Sequence, residues 1–239
     1  MTVQSAAPGP AGLDDPAVRA VLNRLYSQAE RDDKEVMERA HADAARLAAP
    51  PTPAEASALC ADALLPVDPH TGRLLYTLVR MLRPRLVVEF GTSFGTSAVQ
   101  IAAGLRENGR GRLVTTELDA SKVRRARANL GEAGLADLVD VREGDALELL
   151  RAFDAPVDLV LLDGWKELYL PVLEVLEPVL APGAVIVSDN LSMLPAAYLE
   201  RIRDRDRGYV SLDLPLGDGI ELTTWTGAAG AADARPGNA

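Results

Sequence analysis

The sequence contains a single cysteine, Cys60, and only 4% of its 239 residues are aromatic. One cysteine excludes an internal disulfide and a zinc site built from several cysteines. The scarcity of aromatic side chains argues against a platform on which nucleic-acid bases stack. No apolar run approaches the roughly 20 residues that span a bilayer, so we expect no membrane association.

The chain also has few basic residues relative to acidic ones. It contains 25 Lys and Arg and 35 Asp and Glu, which gives a formal net charge of −10. Proteins that hold phosphate backbones neutralise them with Lys and Arg, so no nucleic-acid partner is expected. The first twelve residues are small and Pro-rich, without a basic start or an apolar run, so no signal peptide is expected. A cytoplasmic protein is the resulting expectation.

The organisation of the chain follows from its composition. Residues 1–12 and 227–239 are rich in Gly, Ala and Pro and carry little to bury, so we predict a disordered leader and a disordered tail. Residues 13–226 are expected to form one domain, with a helical N-terminal cap at 13–66 and a core at 67–226.

The cap has a helical pattern. Apolar residues between Val18 and Tyr26 recur at the spacing of one helix face, and Asp68 followed by Pro69 is typical of a helix start. The predicted helices cover residues 14–48 (in two stretches, the second more charged), 54–64 and 69 to about 82.

Strands and helices alternate through the core, which indicates βαβ units and a parallel sheet covered on both faces. Near the end of the chain, Gly217-Asp218-Gly219 joins two strands into a hairpin, which predicts an antiparallel pair at the sheet edge. The predicted strands are 86–90, 113–117, 139–141, 157–162, 184–188, 209–214 and 220–225. The predicted helices between them are 96–106, 120–132, 146–152 and 166–180.

The first strand ends in a glycine turn, with Gly91 and Gly95 ahead of a helix. Ligands of open parallel sheets bind at this end of the strands. Glu89 would repel a pyrophosphate there but suits a ligand with an ammonium group. The alternative is a tight turn that binds nothing.

Two further acids follow the next strands. Glu117 ends the second strand, where a carboxylate can accept the hydroxyls of a ribose; the alternative is an exposed charge. Asp145 follows the third strand, where it can accept from an adenine amino group, cap the next helix, or do both.

A third group of polar residues follows the fourth and fifth strands. Asp163 ends one strand, and Asp189 and Asn190 end the next. Two carboxylates and an amide oxygen suit Mg²⁺, Mn²⁺ or Ca²⁺. Lys166, three residues past Asp163, can act as a base, because a neighbouring cation favours its neutral form. The alternative is a turn at Asp189-Asn190 and a solvated lysine.

From about Val67 to Trp225 the chain resembles the cation-dependent O-methyltransferases, the family of catechol O-methyltransferase and plant caffeoyl-CoA O-methyltransferases. The matching motifs are VVEFGTSFGTSA, TTELD, EGDA, LVLLDGWKELYL, IVSDN and LGDGIEL. The Asp-x-x-Lys followed by Asp-Asn is far more specific than the glycine turn. The resemblance implies a Rossmann-like sheet of seven strands, the last antiparallel, with extra N-terminal helices.

The resemblance also implies cofactors and roles, with S-adenosylmethionine and a divalent cation, Mg²⁺ first, as the cofactors. Lys166 would be the base, and Asp163 would touch both the cation and the cofactor. The cation ligands would be Asp163, Asp189 and Asn190. The cofactor site would comprise Val67, Glu89, Gly91, Thr92 and Ser97 at the methionine end, with Glu117 at the ribose and Asp145 by the adenine.

The expected reaction is methyl transfer to a hydroxyl of a vicinal dihydroxy aromatic small molecule. A sugar or another natural-product hydroxyl is the alternative acceptor. A nicotinamide-dependent oxidoreductase and a non-catalytic cofactor-binding protein are alternatives of other classes.

Gly164 departs from the family, because the mammalian enzyme has histidine there and plant enzymes have alanine. Trp165 is expected to wall the acceptor pocket or join the core, and relatives of this kind are often homodimers.

Overall fold

A computed structural model describes residues 12–227 of the chain. Most of the predicted leader and tail, residues 1–11 and 228–239, lies outside the described residues. Gly12, which we had assigned to the leader, is buried and begins a short 3-10 helix, Gly12–Asp14. Within the described part of the chain, no helix is both long and apolar enough to cross a membrane.

Three helices precede the first strand: α1 (Pro16–Ala44), α2 (Pro53–Leu59) and α3 (Pro69–Leu82). The prediction of two stretches within α1 was wrong, because Val36 and Ala40 continue the buried stripe through its charged second half. The start of α3 is confirmed. Asp68 caps this helix by accepting from the backbone N–H of His70 at 2.7 Å, and Pro69 is its first residue.

Seven strands form one sheet in the order β3-β2-β1-β4-β5-β7-β6. The five strands from β3 to β5 in this order pair in parallel. β7 lies between β5 and β6 and is antiparallel to both, so the predicted fold class is confirmed. The strands are β1 (Leu86–Phe90), β2 (Arg112–Glu117), β3 (Val139–Glu143), β4 (Val157–Leu162), β5 (Leu180–Asp189), β6 (Tyr209–Leu214) and β7 (Ile220–Trp225).

Five more helices connect the strands: α4 (Thr96–Asn108), α5 (Ala120–Glu132), α6 (Ala146–Leu149), α7 (Tyr169–Leu176) and α8 (Ala196–Ile202). The helix predicted for 166–180 is divided, with 3-10 turns on both sides of α7. Pro178 explains its early end, because proline lacks the N–H that would continue an α-helix.

The sheet buries apolar residues on both faces. One cluster joins Leu25 of α1 and Leu75 of α3 to Val87 of β1. The other joins Val88 and Leu162 to the helices α7 and α8. The apolar stripe of α1 therefore joins this chain's own core, where α1 packs against the helices α4 and α5 that cover the sheet.

Strand register determines which polar residues meet at the carboxyl edge of the sheet. Phe90 is opposite Leu162, and Leu162 is opposite Ser188. The residues that follow these three positions therefore leave the sheet side by side.

An ion pair between a buried carboxylate and a partly exposed arginine lies at the antiparallel edge. The side chain of Glu221 on β7 is 1% exposed, and Arg203 donates to both of its oxygens, at 2.8 and 2.5 Å. Because a buried carboxylate without its partner is costly, we expect Arg203→Met to lower the free energy of unfolding by about 2–3 kcal/mol. Chemical denaturation measures this.

Arg207→Met is the matched control, because the partner of Arg207, Asp204, is 38% exposed. Exposed pairs contribute about 0–1 kcal/mol, so this variant should keep nearly full stability. Equal losses in the two variants would contradict the role given to Glu221.

Candidate active site

The glycine turn lies between two neighbouring strands. The backbone N–H groups of Gly91 and Thr92 donate to the Thr116 carbonyl at 3.2 and 3.1 Å, and that of Asp163 donates to the Phe90 carbonyl at 2.9 Å. Gly91 has φ +101°, and a Cβ there would lie 2.4 Å from the Asp163 carbonyl oxygen. Only glycine therefore allows β1 and the segment after β4 to approach so closely.

Glu89 is fully buried behind this turn. The hydroxyl of Ser97 donates to its Oε1, whereas its Oε2 is buried without a hydrogen-bond partner. Burial raises the pKa of Glu89 to about 7, although the hydroxyls of Ser97 and Thr115 act in the opposite sense. An unpartnered buried carboxylate oxygen is a ready acceptor for a cationic donor.

The other predicted cofactor residues lie along the same edge. Glu117 accepts from the backbone N–H of Ser93 at 2.8 Å and of Asp119 at 2.9 Å, so its carboxylate is fixed beside the glycine turn. Asp145 is exposed and caps α6 by accepting from Leu147 N–H at 2.8 Å. Val67 is buried in the segment before α3.

Asp163 and Asp189 meet at the ends of β4 and β5. Burial, together with the nearby charge of Asp189, raises the pKa of Asp163 well above its ordinary value. Burial also raises the pKa of Asp189. Lys166 places its Nζ 3.7 Å from Asp163 Oδ1. The structure therefore brings Asp163, Asp189 and Lys166 together at this edge of the sheet.

Tyr169 is a residue of this group that we did not predict. Lys166 Nζ donates to the Tyr169 hydroxyl at 2.7 Å, and that hydroxyl donates to the Leu162 carbonyl at 2.7 Å. Burial raises the pKa of Tyr169 well above its ordinary value, so the hydroxyl stays protonated. Its position one helical turn after Lys166 is the signal that could have found it.

The side chain of Asn190 contacts the hairpin loop between β6 and β7. Its Nδ2 donates to Asp218 Oδ2 at 3.4 Å, and its backbone N–H donates to Asp189. Asp218 lies in the hairpin loop, which we had interpreted only as a turn. The loop docks tightly, because a Cβ on Gly217 would lie 2.8 Å from Asp68 and one on Gly219 would lie 2.9 Å from Leu191.

Within residues 12–227, no group of three or more His, Cys, Asp or Glu side chains is arranged as a metal site. The candidate set is smaller, two buried carboxylates with the nearby Asn190 amide. It still fits a divalent cation, because two adjacent carboxylates can both be ionised only when positive charge lies with them. Oxygen ligands are also the type that Mg²⁺ and Ca²⁺ prefer.

The residues after Asp163 contact other parts of the chain. A Cβ on Gly164 would lie 2.5 Å from the Phe90 ring, so this ring accounts for the glycine. Trp165 is partly buried and packs against a small cluster that contains Val36 and Ala40 of α1 and Cys60 at the end of α2. The N-terminal helices therefore reach the residues beside the candidate base.

A large cleft of about 580 Å³ lies elsewhere, between α1 and α5, and none of the predicted site residues lines it.

Comparisons with known proteins show that the part of the chain that contains this site is similar to methyltransferases. A protein-family model described as a methyltransferase domain matches residues 88–191. The catechol O-methyltransferase of Mycobacterium tuberculosis is 38% identical over 145 residues, which cover 58% of this chain and 65% of that protein. The catechol O-methyltransferase of Sus scrofa is 33% identical over 141 residues, which cover 55% of this chain and 74% of that protein.

The fold is also similar to that of an O-methyltransferase of known structure. The O-methyltransferase TomG from Streptomyces achromogenes, involved in tomaymycin synthesis and crystallised in complex with S-adenosylmethionine, is 28% identical, with a TM-score of 0.61. The match covers 82% of this chain and 99% of that one. The chain spans 58%, 65% and 47% of the length of the first three curated relatives.

Proposed function

The chain belongs to the cation-dependent O-methyltransferase family that includes catechol O-methyltransferase, and from this we propose that it transfers a methyl group from S-adenosylmethionine to one hydroxyl of a vicinal dihydroxy aromatic. One observation carries the proposal. Two largely buried carboxylates, Asp163 and Asp189, lie beside a lysine amine that is 3.7 Å from Asp163 Oδ1. The oxidoreductase alternative does not agree with the family membership.

The proposed cofactor fits the acids along the sheet edge. S-adenosylmethionine supplies a methyl group on a positively charged sulfur. Its ammonium group would pair with the unpartnered Oε2 of Glu89, and its ribose hydroxyls would donate to Glu117. The remaining proposed contacts are Val67, Gly91, Thr92 and Ser97 at the methionine end, Asp145 by the adenine, and Asp163.

We propose that Asp163, Asp189 and Asn190 hold the divalent cation, with Mg²⁺ as the first choice and Mn²⁺ or Ca²⁺ also suited to oxygen ligands. The bound cation would lower the pKa of an acceptor hydroxyl that ligates it. Asp163 and Asp189 would both be ionised in that state. Asn190 would contribute its amide oxygen, because its Nδ2 already donates to Asp218.

Lys166 is the proposed base that takes the acceptor's proton. In its neutral form the amine can donate one hydrogen to the Tyr169 hydroxyl, at 2.7 Å, and use its lone pair for the proton. Tyr169 thereby orients the base, as a third group does in other catalytic sets. Trp165, backed by α1 and α2, is the proposed wall for an aromatic acceptor.

A cytoplasmic location and a homodimer stay predictions.

Replacing the base should affect turnover and spare cofactor binding. We expect Lys166→Met and Lys166→Arg to lower kcat for methylation of a small catechol by about 100-fold or more, the usual contribution of a general base. Arginine keeps the positive charge but does not lose its proton, so Lys166→Arg should not restore the turnover that Lys166→Met loses. Initial rates followed by product mass measure this, and unchanged turnover in either variant would contradict the role of Lys166.

Cofactor binding should depend on pH through Glu89. Burial raises the pKa of this carboxyl to about 7, so it is protonated below that pH and cannot pair with an ammonium group. The affinity for S-adenosylhomocysteine should therefore fall about tenfold per pH unit below 7. Calorimetric titration at pH 6 and pH 8 measures the change. Glu89→Gln should bind weakly at both pH values; an unaltered pH dependence in this variant would contradict the assignment.

A further inference from the structure

A side chain of helix α1 holds the segment that leads to α3. Asp33 accepts from two consecutive backbone N–H groups, that of Leu64 on Oδ1 and that of Leu65 on Oδ2, both at 2.8 Å. Hydrogen bonds from N–H groups to a carboxylate are stronger than those between neutral groups. The segment that leads to Val67 is thus tied to α1 at a defined point.

This segment has an unfavourable backbone conformation that its contacts maintain. Leu65 has φ +46°, in the left-handed region that residues other than glycine rarely adopt. Such a conformation persists only where the surroundings fix it. The Asp33 carboxylate holds the N–H of Leu65 and therefore contributes directly to fixing it.

The same segment holds the glycine turn from its other side. The Ser93 hydroxyl donates to the Leu64 carbonyl at 2.5 Å, and the Ser93 N–H donates to Glu117 Oε2 at 2.8 Å. Ser93 also has φ +46°. A continuous series of hydrogen bonds thus runs from Asp33 through Leu64 and Ser93 to Glu117.

A buried lysine balances the charges around this series. Lys122 is 6% exposed and its Nζ donates to the Ser93 hydroxyl at 3.3 Å. Burial lowers the pKa of Lys122, whereas the charges of Glu117, Asp119 and Asp33 oppose that shift. Asp33 and Glu117 therefore share one buried cation as well as one series of hydrogen bonds.

We propose that Asp33 is a positioning residue for the cofactor, which fixes the Leu64-Leu65 segment and, through Ser93, the carboxylate of Glu117. Helix α1 then belongs to the cofactor site without touching the cofactor. The inference rests on the proposed function. Its physical basis is preorganisation, because a loop that is already fixed loses less conformational freedom when a ligand binds.

The test compares two neighbouring carboxylates on α1. Asp33→Asn replaces one acceptor oxygen by a donor, whereas Asp32→Asn makes the same change at a residue that forms no hydrogen bond to the 64–65 segment in the described part of the chain. We expect calorimetric titration with S-adenosylhomocysteine to give a Kd about tenfold higher for Asp33→Asn and an unchanged Kd for Asp32→Asn.

A kinetic readout separates positioning from general stability. Asp33→Asn should raise KM for S-adenosylmethionine while KM for the acceptor and kcat at saturation stay near the wild-type values. Equal Kd values for the two folded variants would overturn the inference. If Asp33→Asn does not fold, Ser93→Ala interrupts the same series, and a wild-type Kd in that variant would overturn it. Failure of the wild-type protein to bind S-adenosylhomocysteine would instead overturn the proposed function, and this inference with it.

Discussion

Two neighbouring carboxylates are the constraint on which the rest of this site depends. Asp163 and Asp189 lie together at the ends of β4 and β5, where partial burial and mutual repulsion both disfavour two negative charges. A proton can relieve this repulsion, and so can a divalent cation. The fold imposes this proximity, because β4 and β5 are neighbours in register with Leu162 opposite Ser188. Gly91 lets the end of β1 approach the backbone of Asp163 closely, which brings the residues proposed for the cofactor to the same edge.

Negative charge is a property of this whole edge, with Glu89, Glu117, Asp163, Asp189 and Asp218 all on segments that follow or end the strands. Lys122 lies behind the glycine turn and Lys166 lies beside the paired aspartates. A site of this kind favours ligands with positive charge. An ammonium group, a sulfonium and a divalent cation all meet that condition, which gives the family resemblance an electrostatic basis in this chain's own residues.

The sequence predicted the parts of the site that depend on strand ends. Glu117 and Asp189 end strands that apolar runs identify, Asp163 follows one, and Glu89 is next to last in β1. Parallel pairing brings such positions to one edge. Tyr169 was missed although it lies one helical turn after Lys166, because the apolar pattern after residue 168 indicates a core position rather than a partner for the lysine.

The long-range contacts could not be predicted from local patterns. Asp218 looked like a turn residue, and its contact with Asn190 requires the hairpin loop to fold over the end of β5. Asp33 lies on a charged helix face and contacts residues 64 and 65 only through tertiary packing. Such contacts join elements distant in sequence, and no spacing rule reports them.

Methyl transfer with and without a chelator tests the central claim most directly. The wild-type protein would be incubated with S-adenosylmethionine, Mg²⁺ and a small panel of catechols, and the product mass read in the presence and absence of EDTA. This account predicts a monomethylated product that is lost with the chelator and restored by excess Mg²⁺. Equal product in both samples, or no product from any catechol although S-adenosylhomocysteine binds, would contradict it.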